Sequence, residues 1–192
     1  MGLIVEGHGE VEAMPVLLRR VAAALGVAVQ ATRPFRVPRH QLIKEAELQR
    51  TVEAVARRVG TDGPILIVLD ADDDCIRDRA ASMLDQARAT RRDRELAVVL
   101  PNREFEAWFL ASIESLRGRA RVRPDACWPG EAESVRDAKG ALQSLMAGTY
   151  SPTVDQPALA ALMDLELARQ RSRSFDKLWR DLARLLGAAD RR

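Results

Sequence analysis

The stretch PILIVLDADDDC, residues 64–75, decides the fold of this chain. Five apolar residues follow Pro64 without interruption, which is typical of a central parallel strand covered on both faces. Four aspartates then fall within five positions: Asp70, Asp72, Asp73 and Asp74. Neither a strand nor a helix requires like charges packed this closely. The run is therefore either a solvated turn or a site for something strongly positive.

Apolar runs and amphipathic stretches alternate along the chain on both sides of this strand. Strand-like runs occupy residues 2–5, 27–37, 64–70 and 95–100, and Pro34 breaks the second of them. Helical spacing occupies residues 10–26, 40–60, 75–92 and 102–118. Asn102 is the expected N-cap of the last of these helices. This alternation predicts an α/β domain with a mainly parallel sheet.

The apolar pattern changes after Gly118. Residues 119–133 contain two prolines and no clear periodicity, which is typical of a loop, and helices are predicted over residues 134–147, 155–170 and 174–186. We therefore predict an α/β core over residues 1–115. A loop and helical extension over residues 116–192 should pack on it, giving a single domain overall.

The composition is that of a globular protein without a strong overall charge. Thirty basic residues nearly balance 28 acidic ones, so only local patches could attract nucleic acid. The two cysteines, Cys75 and Cys127, lack metal-binding spacing, so we expect free thiols and no zinc. No apolar stretch is long enough to span a membrane, and Glu6 interrupts the first apolar run too early for a signal peptide. We expect a cytoplasmic protein.

Three of the predicted strands end in acidic residues. Glu6 ends the first, Asp70 ends the third, and Glu104 and Glu106 follow the fourth within a few residues. Right-handed crossovers place the C-terminal ends of parallel strands along one edge of a sheet, where α/β proteins bind ligands. These segments should therefore converge. Up to eight acids would then meet: Glu6, Glu10, Asp70, Asp72, Asp73, Asp74, Glu104 and Glu106.

Carboxylates at such density need raised pKa values or a cation. Mg²⁺ prefers oxygen ligands and needs only one or two carboxylates per ion, and Mn²⁺ is a substitute for it. Two ions would clamp the attacking and leaving oxygens of a phosphodiester. Acids that follow strands also serve as helix caps and first-turn charges. The cap interpretation fits Asp74 and competes for Asp73, and Glu10 fits a ligand or a helix-dipole partner equally.

At these residues the chain resembles the Toprim superfamily, the catalytic domain of topoisomerases, primases and OLD-family nucleases. The residues that carry the resemblance are Glu6 in VEGHGE and the Asp70-Ala-Asp72 sequence in LDADDD, and the second acid, Glu10, is similar to the OLD-family version. With NREFEAWFLAS, Lys139 and RSRSFDKLW added, the motifs resemble domain-of-unknown-function family 4276 over most of the chain.

The resemblance implies a Toprim-like, Rossmann-like fold and a role for each matching residue. Asp70 and Asp72 would hold Mg²⁺, and Glu6 would bind metal or act as general acid/base. A downstream glutamate, Glu106 in preference to Glu104, would serve a second metal. The lysine that neutralises transition-state charge would be Lys139, for which a solvated lysine on a helix is the alternative. The implied activity is that of a bacterial nuclease acting on DNA or RNA beside a separate ATPase in defence.

Two further features suggest contacts with phosphate. His8 lies between two glycines in the proposed site loop, where it would touch a phosphate or simply occupy a solvated turn. Arginines alternate with other residues after position 116: Arg117, Arg119, Arg121 and Arg123. In an extended loop this spacing puts four guanidinium groups on one side, which suits phosphates. A solvated loop in an arginine-rich chain is the alternative.

Three functions remain open at this point. The first is a Mg²⁺-dependent phosphodiester-processing protein, in particular a nuclease. The second is a non-catalytic regulatory or binding subunit that keeps the Toprim shape. The third is an aspartyl-phosphate phosphatase with Asp70 as nucleophile, although such enzymes carry the Asp-x-Asp pair on the first strand and here it follows the third.

Overall fold

One parallel sheet forms the centre of the protein. The computed structural model describes residues 1–188, so residues 189–192 of the predicted extension lie outside the described part. The strands are β1 Gly2–Val5, β2 Phe35–Arg36, β3 Ile65–Val68 and β4 Leu96–Val99. All pairs are parallel, in the order β2-β1-β3-β4. The predicted α/β class with a parallel sheet is confirmed.

Helices cover the sheet on both faces. In chain order they are α1 His8–Ala24, α2 Arg39–Leu42, α3 Glu45–Arg58, α4 Ile76–Thr90, α5 Ala107–Ala111, α6 Ala138–Ser144, α7 Pro152–Leu162, α8 Leu165–Arg171 and α9 Arg173–Leu185. Two short 3-10 turns occupy Ile113–Leu116 and Ala132–Ser134. The predictions over residues 10–26, 75–92 and 174–186 are confirmed as α1, α4 and α9, with ends shifted by about two residues at most.

Two predicted helices are interrupted. Residues 40–60 divide into α2 and α3 because Lys44 has an extended backbone, with ψ 126°. Residues 155–170 divide into α7 and α8, and Asp164 caps α8 by accepting a hydrogen bond from the Leu167 amide at 2.9 Å. The apolar spacing continues through both breaks, so periodicity alone does not reveal them.

The helix predicted over residues 102–118 is largely wrong, because α5 has only five residues. Asn102 is not an N-cap, since Arg103 adopts the left-handed conformation with φ 65°. The Arg103 carbonyl accepts a hydrogen bond from the Asp72 amide at 3.1 Å, which ties this segment to the loop after β3. Of the strand-like segment 27–37, which Pro34 is expected to break, only β2, directly after the proline, is a strand.

Successive strand residues face two different cores. Leu3 and Val5 join an apolar cluster with α1, α5 and the C-terminal helices, whereas Ile4 joins a second cluster with α3 and α4. This alternation follows from the two-residue period of a strand. It places the C-terminal helices and α1 on one face, where α7 packs along α1.

The outer edge of β4 is covered by cations from α9. The Glu95 and Val99 carbonyls accept hydrogen bonds from β3 and the residue that follows it, so the Leu96 and Val98 carbonyls point away from the sheet. Lys177 Nζ donates to the Val98 carbonyl at 2.9 Å. Arg184 Nη2 donates to the Leu96 carbonyl at 2.8 Å. The outward backbone acceptors of this edge are therefore satisfied by side chains.

Two expectations about the chain's chemistry can be compared with the described residues. Cys75 and Cys127 are both free, as predicted, and both are exposed. Within residues 1–188, no helix has the length and apolar character that crossing a membrane requires.

The aromatic contact between α5 and α9 provides a test of how the C-terminal helices are attached. Phe175 is fully buried, and its ring meets that of Trp108 edge-on with centroids 5.4 Å apart. We expect Phe175→Ala to lower the free energy of unfolding by about 3–5 kcal/mol, measured by urea denaturation, because it leaves a cavity. Val154→Ala, at a position 62% exposed, should cost less than about 0.5 kcal/mol. Equal losses in both variants would contradict this packing.

Candidate active site

Acidic side chains from three strand ends meet at the C-terminal edge of the sheet. The ends of the strands are aligned, because Val5 pairs with Val68 and Val68 with Val99. Asp70, after β3, donates its backbone N–H to Glu6 Oε2, after β1, at 3.3 Å. The loop that follows β4 brings Glu104 and Glu106 to the same edge, where their charges act on Asp70.

The VEGHGE loop folds a second glutamate back over the first. Glu10 is 4% exposed, and its Oε2 accepts a hydrogen bond from the Glu6 backbone N–H at 3.1 Å. A Cβ on Gly7 would lie 2.7 Å from Glu10 Oε1, and one on Gly9 would lie 2.2 Å from Gln156 Oε1. At Gly9 the added Cβ would also lie 2.7 Å from the Pro152 backbone carbonyl, so this position requires glycine, whereas at Gly7 only the end of the Glu10 side chain would have to move.

The buried carboxylates raise one another's pKa values. Burial raises the pKa of Glu10 to about 7, and the charges of Glu6 and Glu106 add to the shift. Burial also raises the pKa of Asp70 well above 3.8, with further contributions from Glu10, Glu106, Glu6 and Glu104. The pKa of Glu6 is raised too, chiefly by burial. The cluster of Glu6, Glu10, Asp70, Glu104 and Glu106 therefore favours a bound proton or cation.

Glu106 is the most enclosed of the acids that follow β4. It is 2% exposed, and its Oε1 accepts hydrogen bonds from Tyr150 Oη and Gln156 Nε2, each at 3.1 Å. Burial and the neighbouring charge of Glu106 raise the pKa of Tyr150, so the phenol stays protonated and donates. Sequence reasoning missed Tyr150 and Gln156, and nothing in a single sequence marks either as a partner of an acid.

Lys139 reaches the cluster from α6. Its Nζ lies 4.0 Å from Glu106 Oε1, and its side chain is 53% exposed. Its backbone N–H donates to Glu104 Oε2 at 2.9 Å, and its charge lowers the pKa of Glu6 slightly against the larger effect of burial. The structure thus places Lys139 beside Glu104 and Glu106, with its ammonium group accessible to solvent.

The aspartates of the DADDD run separate into different environments. Asp70 belongs to the buried cluster, whereas Asp72 is 59% exposed and pairs with Arg39 Nε at 3.1 Å. Asp73 is 83% exposed and pairs with Arg103 at 2.6 Å. Asp72 still lies near Glu6, since its charge raises the pKa of that glutamate. Asp72 and Asp73 therefore form the rim of the site.

The expectation that Asp74 caps the next helix is wrong. The N-cap of α4 is Cys75, and its side chain makes no cap hydrogen bond. Asp74 instead pairs with Arg39 and with Arg79, and its hydrogen bonds with Arg79 and Arg39 lower its pKa. Two arginines occupy the carboxylate oxygens that a cap would need.

Arg39 organises the loop after β3 and was not identified from the sequence. Its Nε donates to the Asp70 carbonyl at 3.0 Å, and its Nη2 donates to the Ala71 carbonyl at 3.1 Å. The same guanidinium group pairs with Asp72 and Asp74. One cation therefore fixes both the backbone and two acids of this loop, which accounts for the close packing of its aspartates.

The predicted phosphate contacts lie in different settings. His8, the first residue of α1, is exposed and lines a cavity of about 350 Å³ with Arg33 and Arg36. The extended arginine loop is wrong, because Ala120 and Arg121 have positive φ angles. Three of the four guanidinium groups have partners within the protein: Arg117 with the Ala126 carbonyl, Arg121 with Asp155 of α7, and Arg123 with Asp125. The fourth arginine, Arg119, is exposed.

The donor chemistry of the cluster fits a hard divalent cation. Its donors are carboxylate oxygens, which Mg²⁺ prefers. Asp70 Oδ1 is buried and has no hydrogen-bond partner among residues 1–188. In the same part of the chain, no three His, Cys, Asp or Glu side chains are arranged, as they stand, to hold a metal ion together. A site with three protein ligands would therefore require side-chain rotation, whereas Mg²⁺ can bind to one or two carboxylates and water.

Comparison with known proteins gives a family but no described relative. A family model with the description Domain of unknown function (DUF4276) matches residues 5–183. This segment contains every strand end that contributes to the acidic cluster, together with α6 and α7. A search of curated proteins and a search of solved structures gave no significant match.

The pH dependence of stability tests the acidic cluster. Folding raises the pKa of Glu10 from 4.5 to about 7, so the folded state keeps a proton that the unfolded state releases. The stability of the metal-free protein should therefore fall as pH rises through this window. Glu10→Gln removes this effect and should raise the free energy of unfolding at pH 8 by up to about 3 kcal/mol, with little change at pH 4.5.

The measurement is urea unfolding in EDTA between pH 4.5 and 8. Glu12→Gln is the matched control, because Glu12 is exposed in the same helix. The control should follow the wild-type pH profile. An unchanged pH slope in Glu10→Gln would contradict the assigned cluster.

Proposed function

Because the family match spans most of the chain, the protein belongs to the DUF4276 family, and we propose that it is a Mg²⁺-dependent nuclease of Toprim type. Its substrates would be phosphodiester bonds of DNA or RNA. The observation that carries this proposal is the convergence of buried and half-buried carboxylates from three strand ends around an Asp70 oxygen that has no hydrogen-bond partner among residues 1–188. The resemblance of VEGHGE and LDADDD to Toprim motifs supplies the reaction class.

The cluster needs positive charge to work at neutral pH. Mutual repulsion and burial raise the carboxyl pKa values, and a divalent cation relieves both effects without a proton. Glu6, Asp70 and Glu106 would hold the ion, with Asp72 joining from the rim by releasing Arg39. When bound, Mg²⁺ supplies a Lewis acid that neutralises charge on a phosphodiester oxygen.

Glu6 is suited to move a proton. Its Oε2 accepts a hydrogen bond from the Asp70 backbone N–H, which leaves Oε1 either to hold the ion or, as the alternative role, to accept a proton from an attacking water. Its pKa is raised by burial, which brings a carboxylate closer to the range useful for acid–base chemistry at neutral pH.

Lys139 is suited to stabilise negative charge on the phosphate. Its ammonium group stays accessible beside the buried Glu106, so it can approach a phosphate without leaving the cluster. His8, with Arg33 and Arg36 beside it, would contact the flanking part of the substrate. By its resemblance to the OLD family, the protein would act beside a separate ATPase in bacterial defence.

A non-catalytic binding subunit is the second candidate. It is favoured by the pairing of Asp72 with Arg39, which occupies one oxygen of the proposed ligand set, and by the lack of a preformed three-ligand arrangement within residues 1–188. The aspartyl-phosphate phosphatase is less well supported, since Asp70 Oδ1 is buried rather than presented to a substrate.

A cleavage assay tests the proposed activity. Purified protein is incubated with plasmid, single-stranded DNA and RNA in Mg²⁺ or Mn²⁺. We expect cleavage by the wild type and a rate lower by about 100-fold or more in Asp70→Asn and Glu6→Gln, because each removes a charge from the reacting centre. Asp85→Asn, exposed on α4, is the matched control and should cleave normally.

Each other outcome has a distinct meaning. Cleavage that survives both site substitutions would place the activity elsewhere. Mg²⁺ binding without cleavage in any condition would favour the binding subunit. Turnover of small phosphate monoesters with nucleic acid left intact would favour the aspartyl-phosphate reaction.

The role of Lys139 is tested separately. Lys139→Gln should reduce kcat by about 100-fold and change KM much less, because its charge is needed as negative charge develops on the phosphate. Lys44→Gln, an exposed lysine between α2 and α3, is the control and should match the wild type. A change confined to KM would show that Lys139 only binds substrate.

A further inference from the structure

We propose that Tyr150 and Gln156 are positioning residues for Glu106, so that the C-terminal part of the chain completes the acidic site. Both donate to Glu106 Oε1, at 3.1 Å each. Because both donors occupy Oε1, Oε2 is the oxygen left to bind a cation. The inference rests on the proposed function only in taking a divalent cation as the occupant.

The two donors come from outside the sheet that carries the acids. Tyr150 precedes α7 and Gln156 lies within it, and both are nearly buried, at 8% and 4% exposed. A carboxylate oxygen that accepts two hydrogen bonds in a closed environment has little freedom to rotate. The orientation of Glu106 is therefore determined by α7 and not by the loop after β4 alone.

Packing fixes Gln156 in turn. A Cβ built on Gly9 would lie only 2.2 Å from Gln156 Oε1, so the amide group packs directly against the α1 backbone. This oxygen is buried without a hydrogen-bond partner among residues 1–188. A buried carbonyl oxygen without a hydrogen-bond partner lowers the stability of the fold. Packing alone therefore does not explain why the Gln156 amide is oriented with its oxygen toward Gly9. Donation to Glu106 does explain it.

An ion pair anchors the start of α7 between the two donors. Asp155 is 2% exposed and receives the Arg121 guanidinium group. Asp155 Oδ2 also accepts the Ser151 backbone N–H at 2.6 Å. The Tyr150 backbone N–H donates to Gln143 Oε1 at 2.6 Å. The segment 150–156 is thus held at both ends, as a support for a catalytic carboxylate requires.

A double-mutant cycle on metal affinity tests the proposal. Mn²⁺ binding to the full chain is measured by calorimetry for the wild type, Tyr150→Phe, Gln156→Met and Glu106→Gln, and for each pair that includes Glu106→Gln. We expect each donor substitution to weaken Mn²⁺ binding by about 10-fold, the usual loss when a partner of a metal ligand is removed. In the Glu106→Gln background, neither should weaken it further.

Val52→Ala is the control for a merely structural effect. Val52 is fully buried on α3, in the second apolar cluster, on the face of the sheet opposite to α5 and α7. This variant should lower the melting temperature and leave Mn²⁺ affinity unchanged. Wild-type affinity in both donor variants, additive losses in the cycle, or a wild type that binds no Mn²⁺ would overturn the proposal.

Failure of the positioning role can be distinguished from failure of the proposed nuclease function. If no nucleic acid is cleaved but the cycle is non-additive, the nuclease is refuted and the positioning role stands. If cleavage and Mn²⁺ binding are both normal in Tyr150→Phe and Gln156→Met, the nuclease stands and the positioning role is refuted.

Discussion

The alignment of the strand ends is the constraint on which the rest of the molecule depends. Val5, Val68 and Val99 lie side by side in the sheet, so the loops that follow them must share one edge. Each of these loops carries acids, and their repulsion has to be balanced locally. The structure uses two means of balance: arginines at the exposed rim, and raised pKa values in the buried cluster. The change between them occurs within a few residues, from Asp70 in the enclosed cluster to Asp72, Asp73 and Asp74, which pair with arginines.

The C-terminal helices belong to the site as well as to the core. They share the apolar cluster of α1 and α5 on one face of the sheet, and α7 crosses the start of α1 closely enough to require Gly9. This contact explains why VEGHGE needs a second glycine, which the sequence alone presents as part of a turn. A loop motif near the N-terminus is thus shaped by a helix almost 150 residues further along the chain.

Prediction from the sequence succeeds where one physical signal dominates. Uninterrupted apolar runs identify β1, β3 and β4, and chain topology then brings Glu6, Asp70 and Glu106 to one edge. It fails where a contact with a distant segment accompanies the local conformation. Arg103 is left-handed, and its carbonyl accepts a hydrogen bond from the Asp72 amide. The arginine loop turns at Arg121, whose side chain pairs with Asp155. Arg39, Tyr150 and Gln156 belong to the same class, since each acts through a contact between segments far apart in the chain. Periodicity and spacing report only on neighbours along the chain.

The cations along β4 limit how this protein can associate with others. An open strand edge allows a second chain to add its own strand by pairing with the outward N–H and C=O groups, and here Lys177 and Arg184 occupy the outward carbonyls of Val98 and Leu96. The opposite edge, β2, has only two residues and offers little template. Association by β-augmentation, whether with a partner or with another copy in an edge-to-edge aggregate, is therefore disfavoured at both sides of the sheet. A partner protein would therefore have to bind to the helices and loops of this protein, and not to an edge of its sheet.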